Sequence, residues 1–420
     1  MAAIFKLRQL LANTETTYGE NSESGSPSLS VLVPALDGSI TMTLTDALVP
    51  DSAAQSRLAV KAPGHPGIKE VLLEYETDWS GVPDGGAGSV AQSVFTTMLG
   101  NELGDGAGAG TAGTTISGTA STANVLGVAD ATTVSAGGII RVGVKGDGRG
   151  DGQAVAIFAT DAGPAPDTIT LLTNCPAAPT TSGDVVYACI NNYHVENAAL
   201  SSYRFLGLYS TATHQYLMTG MMLDGLEFTI PIGSNALPKI KWRWKGCYWR
   251  ALTTSFPDTT AIPYHDCAPV AGGSVFINDF GTATRATITP SQIDLTIDMH
   301  LSPIIGPPNT SGGSRQNVTG YVRSAFDVGV RCRIPASQAY SSWWATSGAS
   351  LTYKHLLFCA NPTNKRSVGF YLPRILPSGQ DPTQPVAENE QNYVDVFATA
   401  TESSTTATNL TRASLVLFAG

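Results

Sequence analysis

Four groups of residues in this sequence have the types and spacing that chemistry uses. Tyr264-His265-Asp266-Cys267 sets a nucleophile, a base and a carboxylate side by side. Catalytic partners of that kind ordinarily come from distant positions that meet in space, and adjacent residues in a proline-flanked segment read as a polar loop. Asp147-Gly148-Arg149-Gly150-Asp151-Gly152 resembles both an adhesion tripeptide and a fragment of a calcium loop. Its spacing misses the EF-hand pattern and no Glu closes it, whereas Gly and Asp at alternate places suit a hairpin turn. Glu70, Glu74 and Glu76 could work as paired carboxylates, but on an alternating strand they make a solvated face. Cys175, Cys189, Cys247, Cys267, Cys332 and Cys359 show no C-x-x-C spacing and are expected as free thiols packed like small apolar groups. No P-loop, no G-x-S-x-G and no H-E-x-x-H occurs. The expectation is a protein without catalytic residues, metal ligands or cofactor.

The elements that carry these side chains are best read from residues 203–249. Ile240, Trp242 and Trp244 alternate strictly with Lys239, Lys241, Arg243 and Lys245. A period of two places the apolar set on one face of a strand and the cations on the other; a helix would scatter both. Leu226, Phe228 and Ile230 alternate with Glu227 and Thr229 in the same way, which predicts an antiparallel pair with one wet face. In Glu70-Val71-Leu72-Leu73-Glu74-Tyr75-Glu76-Thr77 the glutamates share a face with Leu72, opposite Val71, Leu73 and Tyr75.

The same order of elements recurs towards the C-terminus. Tyr353-Lys354-His355-Leu356-Leu357-Phe358 stands where Tyr203-Arg204-Phe205-Leu206-Gly207-Leu208 stood, and Ser39 to Asp46 reads like Ser291 to Asp298. Residues 89–103 form an apolar stripe at helical spacing (Val90, Val94, Phe95, Met98, Leu99) behind an N-cap candidate, Ser89. Residues 336–347 are their counterpart. Residues 104–194 lack one and, with short β-branched runs between turns, predict a small β insertion. The division is therefore an arm at 1–30, a first unit at 31–270 interrupted by 104–194, and a second unit at 271–420, within which the polar, Gly- and Pro-rich stretch from Pro373 to Asn392 is expected as a long loop.

Composition narrows the role. The net charge of -9 argues against a general nucleic-acid binder, and no apolar run approaches a membrane span of ~20 residues. The start, Met1-Ala2-Ala3-Ile4-Phe5-Lys6-Leu7-Arg8, has no signal-peptide core, so the product is expected to stay where it is made.

Lys6-Leu7-Arg8 to Thr14-Glu15-Thr16-Thr17-Tyr18-Gly19, Lys69 to Trp79, the hairpin from Gly225 to Lys245 and the strand from Ser414 to Phe418 together resemble the major tail tube proteins of long, non-contractile-tailed bacteriophages. The resemblance implies a mainly β fold: two tandem β-sandwich or half-barrel tube units, each with a flanking helix, plus the insertion. It also implies a virion tail protein, assembled in the host cytoplasm, whose rings stack into a tube that conducts the genome. The partners it implies are other copies of the chain, in homotrimeric rings or alternatively homohexameric ones, with tail terminator, baseplate and tape-measure proteins. DNA would pass without specific binding. Glu70, Glu74, Glu76, Asp294 and Asp298 are the lumen-facing candidates. Lys239, Lys241, Arg243, Lys245, Tyr18 and Phe5 are the inter-subunit candidates, with the lumen left open as an alternative for the cationic stripe. The rival readings are a carbohydrate-binding or adhesion β-protein of a virion surface, suggested by the insertion and by aromatics such as Trp249, and a glycan-cleaving enzyme using the carboxylates.

Overall fold

A computed structural model of the chain describes residues 2–15, 18–19, 31–49, 65–79, 104–107, 114–117, 124–132, 134, 137–142, 153–161, 166–171, 186–188, 190–194, 201–209, 214–233, 236–252, 273–279, 286–305, 318–338, 353–360, 368–378, 393–401 and 415–419. Over these the protein is mainly β, in large antiparallel sheets, with one helical turn at Ala336–Gln338. No helix among the described residues is long and apolar enough to cross a membrane. Outside them fall the helix expected at 89–103, most of that at 336–347, the 264–267 cluster and the 147–152 turn.

Alternation decides the main layer. Ile240, Trp242 and Trp244 are buried along Lys239–Gly246, as are Val71, Leu73 and Tyr75 along His65–Asp78. These two strands pair antiparallel, Trp242 opposite Tyr75 and Trp244 opposite Leu73. The indole N–H of Trp244 donates to the Tyr75 hydroxyl at 3.1 Å, and that of Trp242 to Thr77 Oγ1 at 2.9 Å. Both buried indoles thus have an acceptor on the neighbouring strand, which is what lets such large side chains fill the core.

Extending from this pair, one wall runs Ala2–Lys6, Thr41–Val49, His65–Asp78, Lys239–Gly246, the second half of Gln215–Pro231, Gln292–Asp298, Asp327–Pro335, Tyr393–Ala400 and the end of Val368–Ser378. A second layer packs on its apolar face, with Phe205 and Trp244 centroids 5.1 Å apart. One part pairs Val31–Leu32, Gln9–Thr14, Tyr203–Leu208, the first half of Gln215–Pro231 and Tyr248–Leu252. The other pairs Ala286–Ile288, Gly273–Asp279, Lys354–Ala360, the start of Val368–Ser378 and Val416–Ala419.

Two long strands belong to both layers. Gln215–Pro231 pairs with Tyr203–Leu208 as far as Met221 and with Lys239–Gly246 from Met222. Gly220, at φ 63°, lies at that corner, where a Cβ would press on Tyr18 and Cys247. Val368–Ser378 crosses at Ile375, which pairs with both Lys354 and Ala400. Each corner comes with a register shift in its hairpin, between Tyr203 and Phe205 and between Lys354 and Leu356.

Three expectations need correction. Residues 2–14, read as part of an arm, are built into both layers: Ala2–Lys6 pairs with residues 41–45, Gln9–Thr14 pairs with Tyr203–Leu208, and Leu7, Leu10, Leu11 and Ala12 are buried. Residues 373–378, read as the start of a loop, continue a strand. Aligning Ser39 with Ser291 is one residue out. Each serine Oγ donates to a carbonyl of the next strand, Glu76 or Arg333, at 3.4 Å, but Thr41 opposite Glu74 corresponds to Asp294 opposite Arg331. A one-residue offset would put Thr41 against the buried Ile293, on the wrong face.

The insertion is a β module with its own core. Val186–Ala188, Ile139–Val142, Gln153–Asp161, Asp167–Leu171 and Val125–Val128 form a five-stranded sheet over Leu126, Val128, Ile140, Ile169 and Val186. Its two ends, Gly104–Ala107 and Ile190–His194, pair with each other, and Ile190–His194 also pairs with Val416–Ala419.

Candidate functional site

The polar face of the wall gathers nearly all the residues singled out for function. Because side chains alternate, each strand contributes every second residue to it. Across the wall the bands alternate in sign. His65–Asp78 brings Glu70, Glu74 and Glu76; Lys239–Gly246 brings Lys239, Lys241, Arg243 and Lys245. Glu227, Asp294 and Asp298 follow, then Arg331 and Arg333, then Asp395.

The bands neutralise one another. Lys245 Nζ lies 2.8 Å from Glu70, Lys241 Nζ 3.4 Å from Glu74 and Lys239 Nζ 3.7 Å from Glu76. Arg243 reaches across the next two strands on one side, 3.4 Å from Glu227 and 3.5 Å from Asp298. Arg331 reaches the neighbouring strand on either side, 2.6 Å from Asp395 and 3.5 Å from Asp294. These side chains keep between a fifth and a half of their surface in water, so each pair stabilises by about 0–1 kcal/mol. Their larger effect is on strand order, since two bands of like sign set side by side would repel.

The residues expected to face a lumen and the charged ones expected at contacts lie together. All nine charged candidates occupy one face, and the four cations meet carboxylates of their own chain. Periodicity fixes which face of its strand a residue takes, but not which distant strand lies beside it. Glu227, Arg331 and Asp395 belong to the same face and were not singled out for it, because only the strand pairing brings them there.

Phe5 and Tyr18 also find partners within the chain. Phe5 packs against Tyr209 and Tyr216, with centroids at 5.7 and 5.1 Å. The Tyr18 hydroxyl is 3.2 Å from Cys247 Sγ, and burial pushes both groups' pKa up, so both stay protonated. Beside them Glu15, quoted in the sequence but given no role, holds the segment in place. Its carboxylate accepts from Ser202 Oγ at 2.6 Å and from the backbone N–H of Gly19 and Gly220 at 3.0 Å. Burial raises its pKa against these hydrogen bonds. Trp249 is half-buried against Tyr216 and opposite Met218.

Cys247 and Cys332 are buried free thiols, and Cys359 is buried as well. Among the described residues no group of three or more His, Cys, Asp or Glu could hold a metal ion. What the face can do is present a broad, banded, nearly neutral polar surface on a stiff sheet. The chain matches no family model, and no curated protein matches it.

Proposed function

We propose that this chain is a structural protein that joins copies of itself into rings, which stack as the tube of a long, non-contractile phage tail. One observation carries the reading: the strand pairings of the first half recur in the second, and the halves join edge to edge in one wall. Thr41–Val49, His65–Asp78, Lys239–Gly246 and Gln215–Pro231 pair in that order; so do Gln292–Asp298, Asp327–Pro335, Tyr393–Ala400 and Val368–Ser378. In this reading residues 31–270, with the 104–194 insertion, and 271–420 are two copies of one tube unit, each with a flanking helix.

The internal join, residues 225–231 against Gln292–Asp298, supplies the pattern for a join between chains. Such a contact is head-to-tail and closes only if its rotation divides a circle. Three chains of two units each then give a ring with approximate sixfold symmetry. The polar face of the wall lines the lumen. Its cations already meet carboxylates, so phosphate finds few unpaired charges to bind, as a conduit for DNA requires. Terminator, baseplate and tape-measure proteins are the partners of such a tube, which assembles in the host cytoplasm and ends in the virion.

Negative-stain microscopy of the concentrated protein tests this. Rings or open tubes are expected. Persistent monomers that bind a glycan would replace the reading with that of a carbohydrate-binding or adhesion protein.

A further inference from the structure

The two halves treat one edge differently. Gln292–Asp298 pairs on one side with Asp327–Pro335 and on the other with residues 225–231. Its counterpart, Thr41–Val49, pairs on one side with His65–Asp78 and on the other with Ala2–Lys6. The edge that receives a wall strand in the second half is thus occupied by the N-terminal strand in the first. Without Ala2–Lys6 the wall divides into two matching sets of four strands; with it, the match fails at one end.

Ala2–Lys6 is built as a weak occupant. It is five residues long and pairs with residues 41–45 only. Ile4, opposite Thr43, is 69% exposed on the polar face, where an apolar side chain gains little. Lys6 is exposed, its Nζ 3.4 Å from the Gly38 carbonyl. Phe5 turns inward, against Tyr209 and Tyr216. The firm attachment starts one residue later: Leu7 is buried against Gly207, and Gln9–Thr14 makes a full ladder with Tyr203–Leu208. A short strand bearing a lysine is a common way to blunt a sheet edge against unwanted pairing.

We propose that Ala2–Lys6 is a removable cover over the chain's own assembly edge. It occupies Thr41–Val49 in the free chain. It gives way to residues 375–378 of a second copy, at the far edge of the wall, which then take the place that residues 225–231 take against Gln292–Asp298. This rests on the tube reading and adds the edge used and the segment that guards it. The occupant is a second copy because corresponding strands already make that contact, in the same order, inside one chain. One antiparallel strand replaces another, so the edge exchanges its backbone hydrogen bonds rather than losing them. Residues 7–14 keep the displaced strand tethered.

Ile4 and Thr43 face each other in register, so an Ile4→Cys/Thr43→Cys variant can close a disulfide across the cover. With the bond confirmed by mass spectrometry, the oxidised protein is expected to stay monomeric where the wild type forms rings, and reduction is expected to restore assembly. A second variant lacking residues 1–6 is expected to assemble at a concentration lower by about tenfold or more, the equivalent of about 1.4 kcal/mol. Ring formation by the oxidised variant as readily as by the reduced one would overturn the cover and leave the tube reading standing. So would a shortened chain that assembles no more readily than the wild type. If no form makes rings, the tube reading falls and the cover with it.

Discussion

Replacing Glu15 tests how the N-terminal segment is fastened to the corner where Gln215–Pro231 changes layer. The carboxylate serves three donors, Ser202 Oγ at 2.6 Å and the N–H groups of Gly19 and Gly220 at 3.0 Å. Glu15→Ala removes every acceptor. A fully buried orphan donor costs about 1–3 kcal/mol, and partial access of water reduces this, so a loss of about 2–4 kcal/mol in all is expected. Glu15→Gln keeps an acceptor oxygen and removes the charge, so it should cost less. The pH dependence has a definite sign. Burial, the largest influence, raises the folded pKa above the ordinary 4.5 despite the opposing hydrogen bonds and the charge of Arg204. A raised folded pKa means stability that is fully present below about pH 4.5 and lost as pH rises through the folded value. Glu15→Gln lacks that loss, so its stability relative to wild type should improve with rising pH. Urea unfolding of the three proteins at pH 5 and pH 8, with unchanged m-values, measures both effects. A Glu15→Ala protein within about 0.5 kcal/mol of wild type, an ordinary surface effect, would refute the clamp. So would a Glu15→Gln protein that loses ground to wild type as pH rises.

Other expectations follow from the core and the internal join. Tyr75→Phe strands the Trp244 indole N–H in the core and should cost about 1–3 kcal/mol, while Trp242→Ala, which empties a stacked site, should cost about 3–5 kcal/mol; denaturant unfolding reads both. At Gly225 a Cβ would stand 2.9 Å from the Ile297 carbonyl. Gly225→Val is therefore expected to lower amide-exchange protection along residues 226–230 and 293–297 while the strands of the other layer keep theirs. Cys247, Cys332 and Cys359 are buried, and burial raises the thiol pKa of the first two, so a thiol reagent should modify none of the three until the protein unfolds.

Strands with one wet face were legible in the sequence, because burial imposes a period of two that Lys239–Gly246 and Gln292–Asp298 display without interruption. Strands buried on both faces carry no such mark. In Gln9–Thr14, Leu10 and Ala12 join the main core, whereas Leu11 turns the other way to meet Leu206 and Leu217. Three consecutive apolar residues then resemble a short greasy start rather than a strand. Pairing across long separations was also hidden. Lys245 meets Glu70 and Arg331 meets Asp395 only because register brings those strands together. The candidate residues could therefore be identified as a charged surface from the sequence, while their mutual neutralisation could not.

The mass and symmetry of an isolated ring test the central claim most directly. Native mass spectrometry with a top view by electron microscopy should find three chains, true threefold and approximate sixfold symmetry, and the insertion as three protrusions around the rim. Six chains, or six equivalent protrusions, would contradict two tube units in one chain.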